Sequence, residues 1–98
     1  MTVLSVFVVR LDPDLLGEAP ALIRKTLEGT RAQPGCLGVE VSVDVDDPTR
    51  FVLVERWATI ADDEAYRSWR STPAGVPPLA SLVVSAPTLT RAEVLDHL

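Results

Sequence analysis

Apolar residues alternate with polar ones from Leu37 to Val45: Leu37, Val39, Val41, Val43 and Val45 are interleaved with Gly38, Glu40, Ser42 and Asp44. This is the period-two pattern of a strand with one apolar face. Asp46-Asp47-Pro48-Thr49 supplies short carboxylates and a proline suited to a turn, and Arg50 to Trp57 returns as a second strand. The pattern therefore predicts a β-hairpin. Upstream, Val3 to Leu11 is almost continuously apolar and β-branched, which fits a central strand covered on both faces. Leu15, Leu16, Ala19, Leu22, Ile23, Thr26 and Leu27 then keep helical spacing. Pro20 falls inside that run, so either the helix starts there or residues 14 to 19 form a separate turn.

After the hairpin, a helix is predicted from about Ile60 to Ser71. It has Asp62, Asp63 and Glu64 at its start and Arg67 and Arg70 at its end, the polarity that the helix dipole favours. Gly75, Pro77 and Pro78 forbid a long helix beyond Pro73, leaving a loop with a short helix over Leu79 to Val83. Pro87 to Val94 reads as a last strand, on an edge that tolerates its proline. The order β-α-β-β-α-(short helix)-β with right-handed crossovers predicts an α+β fold: a ferredoxin-like split βαβ whose four-stranded antiparallel sheet carries its helices on one face.

Composition sharpens this picture in two ways. The 98 residues fit one domain, 1–98, yet 47% are hydrophobic. The bare sheet face explains the excess, because the hairpin strands carry Phe51 and Leu53 on one side and Val52 and Val54 on the other. A second copy docked sheet to sheet would cover that face, so the expectation is a homodimer behaving as one larger barrel. Fourteen acidic against nine basic residues give a formal charge of −5, which disfavours nucleic acid as a partner. No apolar run reaches the roughly 18 residues of a membrane span, and the first residues lack the basic region of a signal peptide, so a cytoplasmic location is expected.

Candidate chemistry is sparse. One cysteine, Cys36, and one histidine, His97, cannot form a disulfide framework, a structural zinc site or a Ser-His-Asp triad in one chain. No metal site is expected. Trp57, at a strand end, can fill the gap between sheet and helix or line a pocket; Tyr66 and Trp69, three apart, share one side of their helix. Arg10 and Arg91 lie on strands and need anionic partners, which Glu40 and Glu55 could supply across the hairpin.

Three segments together, Pro34-Gly35-Cys36-Leu37-Gly38-Val39-Glu40, Asp47-Pro48-Thr49-Arg50-Phe51-Val52-Leu53-Val54-Glu55-Arg56-Trp57 and Glu64-Ala65-Tyr66, resemble the antibiotic biosynthesis monooxygenase family of dimeric α/β barrels. The resemblance spans roughly residues 2 to 95. It implies a cofactor-independent oxygenase that turns an aromatic polyketide phenol or anthrone into a quinone, with oxygen activated by the deprotonated substrate itself. In that case Trp57 matches the tryptophan that closes the strand motif, and Tyr66 is similar to a helix tyrosine that handles the phenolic proton. Together they are the implied catalytic pair. Trp69, Arg70, Phe7 and Leu53 are the implied substrate-binding residues, Leu53 standing where relatives can carry an asparagine. Trp69 also resembles a helix tryptophan of haem-degrading relatives, but Leu79 falls where their histidine would be, and the chain has no asparagine. A non-oxygenase of the same fold, a polyketide cyclase, an isomerase or a small-molecule-binding dimer, is the alternative.

Overall fold

The computed structural model describes residues 1–98. Its strands are β1 (Val3–Arg10), β2 (Cys36–Asp44), β3 (Asp47–Trp57) and β4 (Thr88–Glu93), and its helices are α1 (Ala19–Arg31) and α2 (Ile60–Arg70). The strands form one antiparallel sheet in the order β2-β3-β1-β4. This is the α+β ferredoxin-like arrangement, with both helices on one face.

Register separates the two faces. Pairs Val3↔Trp57, Ser5↔Glu55, Phe7↔Leu53 and Val9↔Phe51 share the helix side, while Leu4↔Arg56, Val6↔Val54 and Val8↔Val52 point to the other. On the helix side, Val9, Leu11, Ile23, Leu27 and Leu53 join Leu79 and Leu82 in the main core. A smaller cluster of Val3, Trp57 and Tyr66 lies under α2. On the opposite side Leu4, Val6, Val8, Val52 and Val54 are only half-buried, so an apolar face is left without protein cover.

Both readings of Pro20 hold in part. Pro13–Glu18 forms a separate 3-10 turn, and α1 begins at Ala19 with Pro20 in its first turn, where a missing N–H costs nothing. The hairpin turn is tighter and earlier than its acidic residues suggest. Val45 and Asp46 alone make it, and Asp47 and Pro48 already belong to β3. Asp44 Oδ1 accepts from the Asp46 amide at 2.8 Å and Asp47 Oδ1 from the Thr49 amide at 2.9 Å, while Pro48 sits at an irregularity where no ladder N–H is required. Consequently Val45 is 96% exposed, and a bulge between Cys36 and Gly38 turns Leu37 outward as well.

Gly35 makes the entry to β2 possible. Its φ is +81°, and an added Cβ would lie 2.2 Å from the Asp62 side chain. Its carbonyl accepts from the Ala58 amide at 2.8 Å, tying the start of β2 to the end of β3. The proline-rich segment is also tied down. Its short turns, Pro73–Gly75 and Pro78–Leu82, are held by the Leu79 amide donating to Thr26 Oγ1 at 3.0 Å and by Leu82 O accepting from Asp12 at 2.8 Å.

Candidate functional site

Between the sheet and the two helices lies a cavity of about 510 Å3. Phe7, Leu53 and Glu55 form its sheet wall, Thr26, Leu27 and Thr30 come from α1, and Tyr66, Arg67 and Arg70 from α2. Pro77, Leu79, Ala80 and Val83 close the remaining side. Its volume falls in the range of small-molecule sites, and its lining follows their usual form: apolar walls with a few convergent polar groups.

Those polar groups touch in succession. Arg67 Nη2 donates to Glu55 Oε1, and its guanidinium lies 4.9 Å from the centre of the Tyr66 ring. The Tyr66 hydroxyl accepts from Arg70 Nε at 2.8 Å and sits 2.8 Å from Thr30 Oγ1. Thr30 gives its own proton to Thr26 O at 3.3 Å, so the Tyr66 proton points to Thr30. Arg70 also reaches Thr26 O at 2.8 Å and Gly75 O at 3.3 Å, and its guanidinium stacks 4.6 Å from the Trp69 ring. It therefore binds α1, α2 and the proline-rich segment together.

Behind Glu55 runs a second layer of charge. Asp63, fully buried, accepts from Ser5 Oγ at 2.8 Å and pairs with Arg67 at 3.1 Å and Arg91 at 3.2 Å. Trp57, also fully buried, donates its indole N–H to Glu55 Oε1 at 3.3 Å. Burial pushes the Glu55 carboxyl above its ordinary value, against the Arg67 guanidinium that pulls it down.

Of the six residues implied by the sequence, four meet at the cavity: Phe7, Leu53, Tyr66 and Arg70. The two tryptophans do not line it. Trp57 packs 4.9 Å from Tyr66 inside the core, and Trp69, partly buried, packs against the same cluster with its ring 6.2 Å from that of Tyr66. The ion pairs also differ from expectation. Arg91 pairs with Asp63 and Arg10 with Asp47, while Glu55 belongs to Arg67. Glu40 and His97 are exposed.

Glu55 is the site residue that the strand pattern holds without announcing. Alternation places it on the same face as Leu53 and Trp57, and a carboxylate on the inward face of an apolar strand is the signal. No three His, Cys, Asp or Glu side chains gather as metal ligands, and no helix is long and apolar enough to cross a membrane.

A two-helix ferredoxin-like sheet with a cavity held under its helices defines a small α+β class. Within it, residues 2–74 match the family model for antibiotic biosynthesis monooxygenase, and the chain belongs to that family. Among solved structures it is similar to an antibiotic biosynthesis monooxygenase at 21% identity, TM-score 0.77, covering 95% of this chain and 98% of that one. A candidate antibiotic biosynthesis monooxygenase from Nitrosomonas europaea is similar at 21% identity, TM-score 0.80, over 96% and 90% of the two chains. Rv0793 from Mycobacterium tuberculosis is similar at 21% identity, TM-score 0.76, over 98% and 97%. At these identities the likeness is one of fold. No curated protein matches the chain.

Proposed function

We propose that this protein is a cofactor-independent monooxygenase that oxidises an aromatic polyketide-type phenol or anthrone to a quinone with dioxygen. The observation that carries the reading is the apolar cavity of about 510 Å3 with Glu55, Arg67, Tyr66 and Arg70 linked along its wall, in a member of this family. An anthrone-type substrate loses two hydrogens from one carbon; one oxygen atom becomes the new carbonyl and the other leaves as water. Once deprotonated, such a substrate is electron-rich enough to reduce dioxygen itself. The protein then supplies shape, exclusion of water and proton handling.

In this reading Phe7 and Leu53 pack against the flat substrate, and the Tyr66 hydroxyl and the Arg67 and Arg70 guanidinium groups face its phenolate. Trp57 acts from behind, holding Glu55, and Trp69 holds Arg70. The functional unit is a homodimer joined through the half-buried face of Leu4, Val6, Val8, Val52 and Val54.

The test is oxygen uptake by purified protein with an anthrone. Uptake above the spontaneous rate, with one dioxygen consumed per quinone formed, supports the reading. Binding of the same compound, seen as quenching of tryptophan fluorescence, without uptake would move the assignment to a cyclase, isomerase or binding role. Two observations favour that second reading: Leu53 leaves the sheet wall without a polar group at its position, and the Tyr66 hydroxyl is already engaged on both sides.

A further inference from the structure

Four titratable groups line the cavity: Glu55, Tyr66, Arg67 and Arg70. The two arginines offer only N–H donors and no acceptor atom. The Tyr66 hydroxyl is already engaged on both sides, donating its proton to Thr30 and accepting from Arg70. Asp63 is outside the cavity lining, and its two oxygens are already taken by Ser5, Arg67 and Arg91. Glu55 differs from all of these. Both of its hydrogen bonds, from Arg67 and from Trp57, fall on Oε1. Oε2 has none. The one sealed side-chain polar atom without a partner is Arg67 Nε, so Oε2 is not sealed, and the cavity is the space that Glu55 borders.

We infer that Glu55 is the proton acceptor of this site, its free Oε2 taking the proton from the hydroxyl of a bound aromatic phenol. The inference rests on the reading of the cavity as a site for such phenols. In the step, the substrate O–H bond breaks, an O–H bond forms on Oε2, and the electron pair stays on the substrate oxygen. Once the substrate carbon has bonded to dioxygen, its C–H bond and the O–O bond break together, the C–H electron pair making the new carbonyl. The departing oxygen takes that carbon's proton to leave as hydroxide, and the proton held on Oε2 returns to it to give water.

The surrounding groups suit the task. Trp57 and Arg67 fix the carboxylate from one side and leave the other oxygen free, the arrangement in which a base is oriented without being consumed by its partners. A carboxyl raised by burial is a better base near neutral pH than an ordinary glutamate. The charges that set its titration are Arg67 and Asp63 from α2, with Arg91 from β4 acting through Asp63. Ser5 from β1 and Val39 from β2, its neighbours across the sheet, are uncharged.

The experiment uses 2-naphthol, which becomes a strong acid when excited and passes its proton to an acceptor already hydrogen-bonded to it. Bound to the parent protein, it is expected to emit in the naphtholate band, and that emission is expected to fade as acidification protonates Glu55. Glu55→Gln is expected to lower the naphtholate-to-naphthol ratio by about tenfold or more, while Glu28→Gln on the exposed side of α1 leaves it unchanged. The acid titration of the parent tests the same point without a variant, should Glu55→Gln fail to fold. Neutral naphthol emission from the parent, retained naphtholate emission in Glu55→Gln, or no binding of 2-naphthol would each overturn the inference. With anthrone, Glu55→Gln is expected to lower kcat about 100-fold or more. Naphtholate emission without oxygen uptake would refute the oxygenase reading and leave the proton acceptor standing.

Discussion

Replacing Arg67 by methionine removes the one cation that touches both buried carboxylates. Glu55, 3% exposed, would keep only the Trp57 N–H, whereas Asp63 would keep Ser5 and Arg91. Leaving one partner of a buried pair uncompensated costs about 3–5 kcal/mol. Coulomb's law agrees in scale, giving about 4 kcal/mol for unit charges 4 Å apart at an effective dielectric of 20. Against a total stability of about 5–15 kcal/mol, the variant is left marginal. The loss must also depend on pH. The folded-state pKa of Glu55 already lies above its ordinary 4.5, and removing the guanidinium raises it further. The folded state then holds more protons than the unfolded one, so stability falls as pH rises through this window, and the penalty is relieved as pH drops toward 4.5. Urea unfolding at fixed protein concentration, at about pH 7.5 and about pH 5, measures both effects. A cost of 3 kcal/mol shifts the urea midpoint by roughly 1–3 M at neutral pH, and the shift should shrink clearly at the lower pH. A cost below about 1 kcal/mol, the range of exposed pairs, or an equal cost at both pH values, would refute the reasoning. Glu55→Gln added to Arg67→Met should restore part of the loss.

Two further outcomes follow from other parts of the fold. Asp47 accepts from the Thr49 hydroxyl and amide and from Arg10, which hold its carboxyl at about 2 against an ordinary 3.8. Its contribution to the hairpin is thus complete above 3.8 and is lost as pH falls through about 2, and an NMR titration that finds an ordinary carboxyl there would contradict the turn geometry. Val6→Lys and Val54→Lys each place a charge on the half-buried sheet face. Sedimentation should show a dimer for the parent and monomer for either variant, and a monomeric parent would sink the proposed interface.

Period-two and helical spacing made the fold legible because the helices use only one side of the sheet, so burial leaves its mark on alternate residues of β3, Leu53, Glu55 and Trp57. β2 keeps the alternation in sequence, with its Val41 and Val43 exposed. The marks fade where the backbone leaves the ladder. Leu37 and Val45 continue the alternation but stand in a bulge and a turn, and Asp-Asp-Pro-Thr carries the turn chemistry while only Asp46 lies in the turn. Tyr66 and Arg70 reach one wall because they are four apart on α2, a relation that any helix imposes. Trp57 is different. Whether a strand-end indole lines a cavity or closes a core depends on which turn of α2 crosses above it, and here Tyr66 and Arg67 crossing there put the indole in the core. The partner of Glu55 was hidden for the same reason, since sequence places the carboxylate on the inward face while three-dimensional packing selects Arg67 over Arg10 or Arg91.

The charged layer under α2 is the feature that the fold itself does not require. Val3, Trp57 and Tyr66 already pack the α2 side of the core, and Val9, Leu27, Leu53 and Leu79 pack the other. Buried ion pairs are poor stabilisers, and apolar residues of similar volume at positions 55 and 67 would serve the core as well or better, by about 1–4 kcal/mol. Such a chain would keep its sheet, helices and cavity, and would lose the one carboxylate that faces that cavity with an oxygen to spare. That difference, between what holds the protein together and what it costs to bury Glu55 beside Arg67, separates the site from the scaffold.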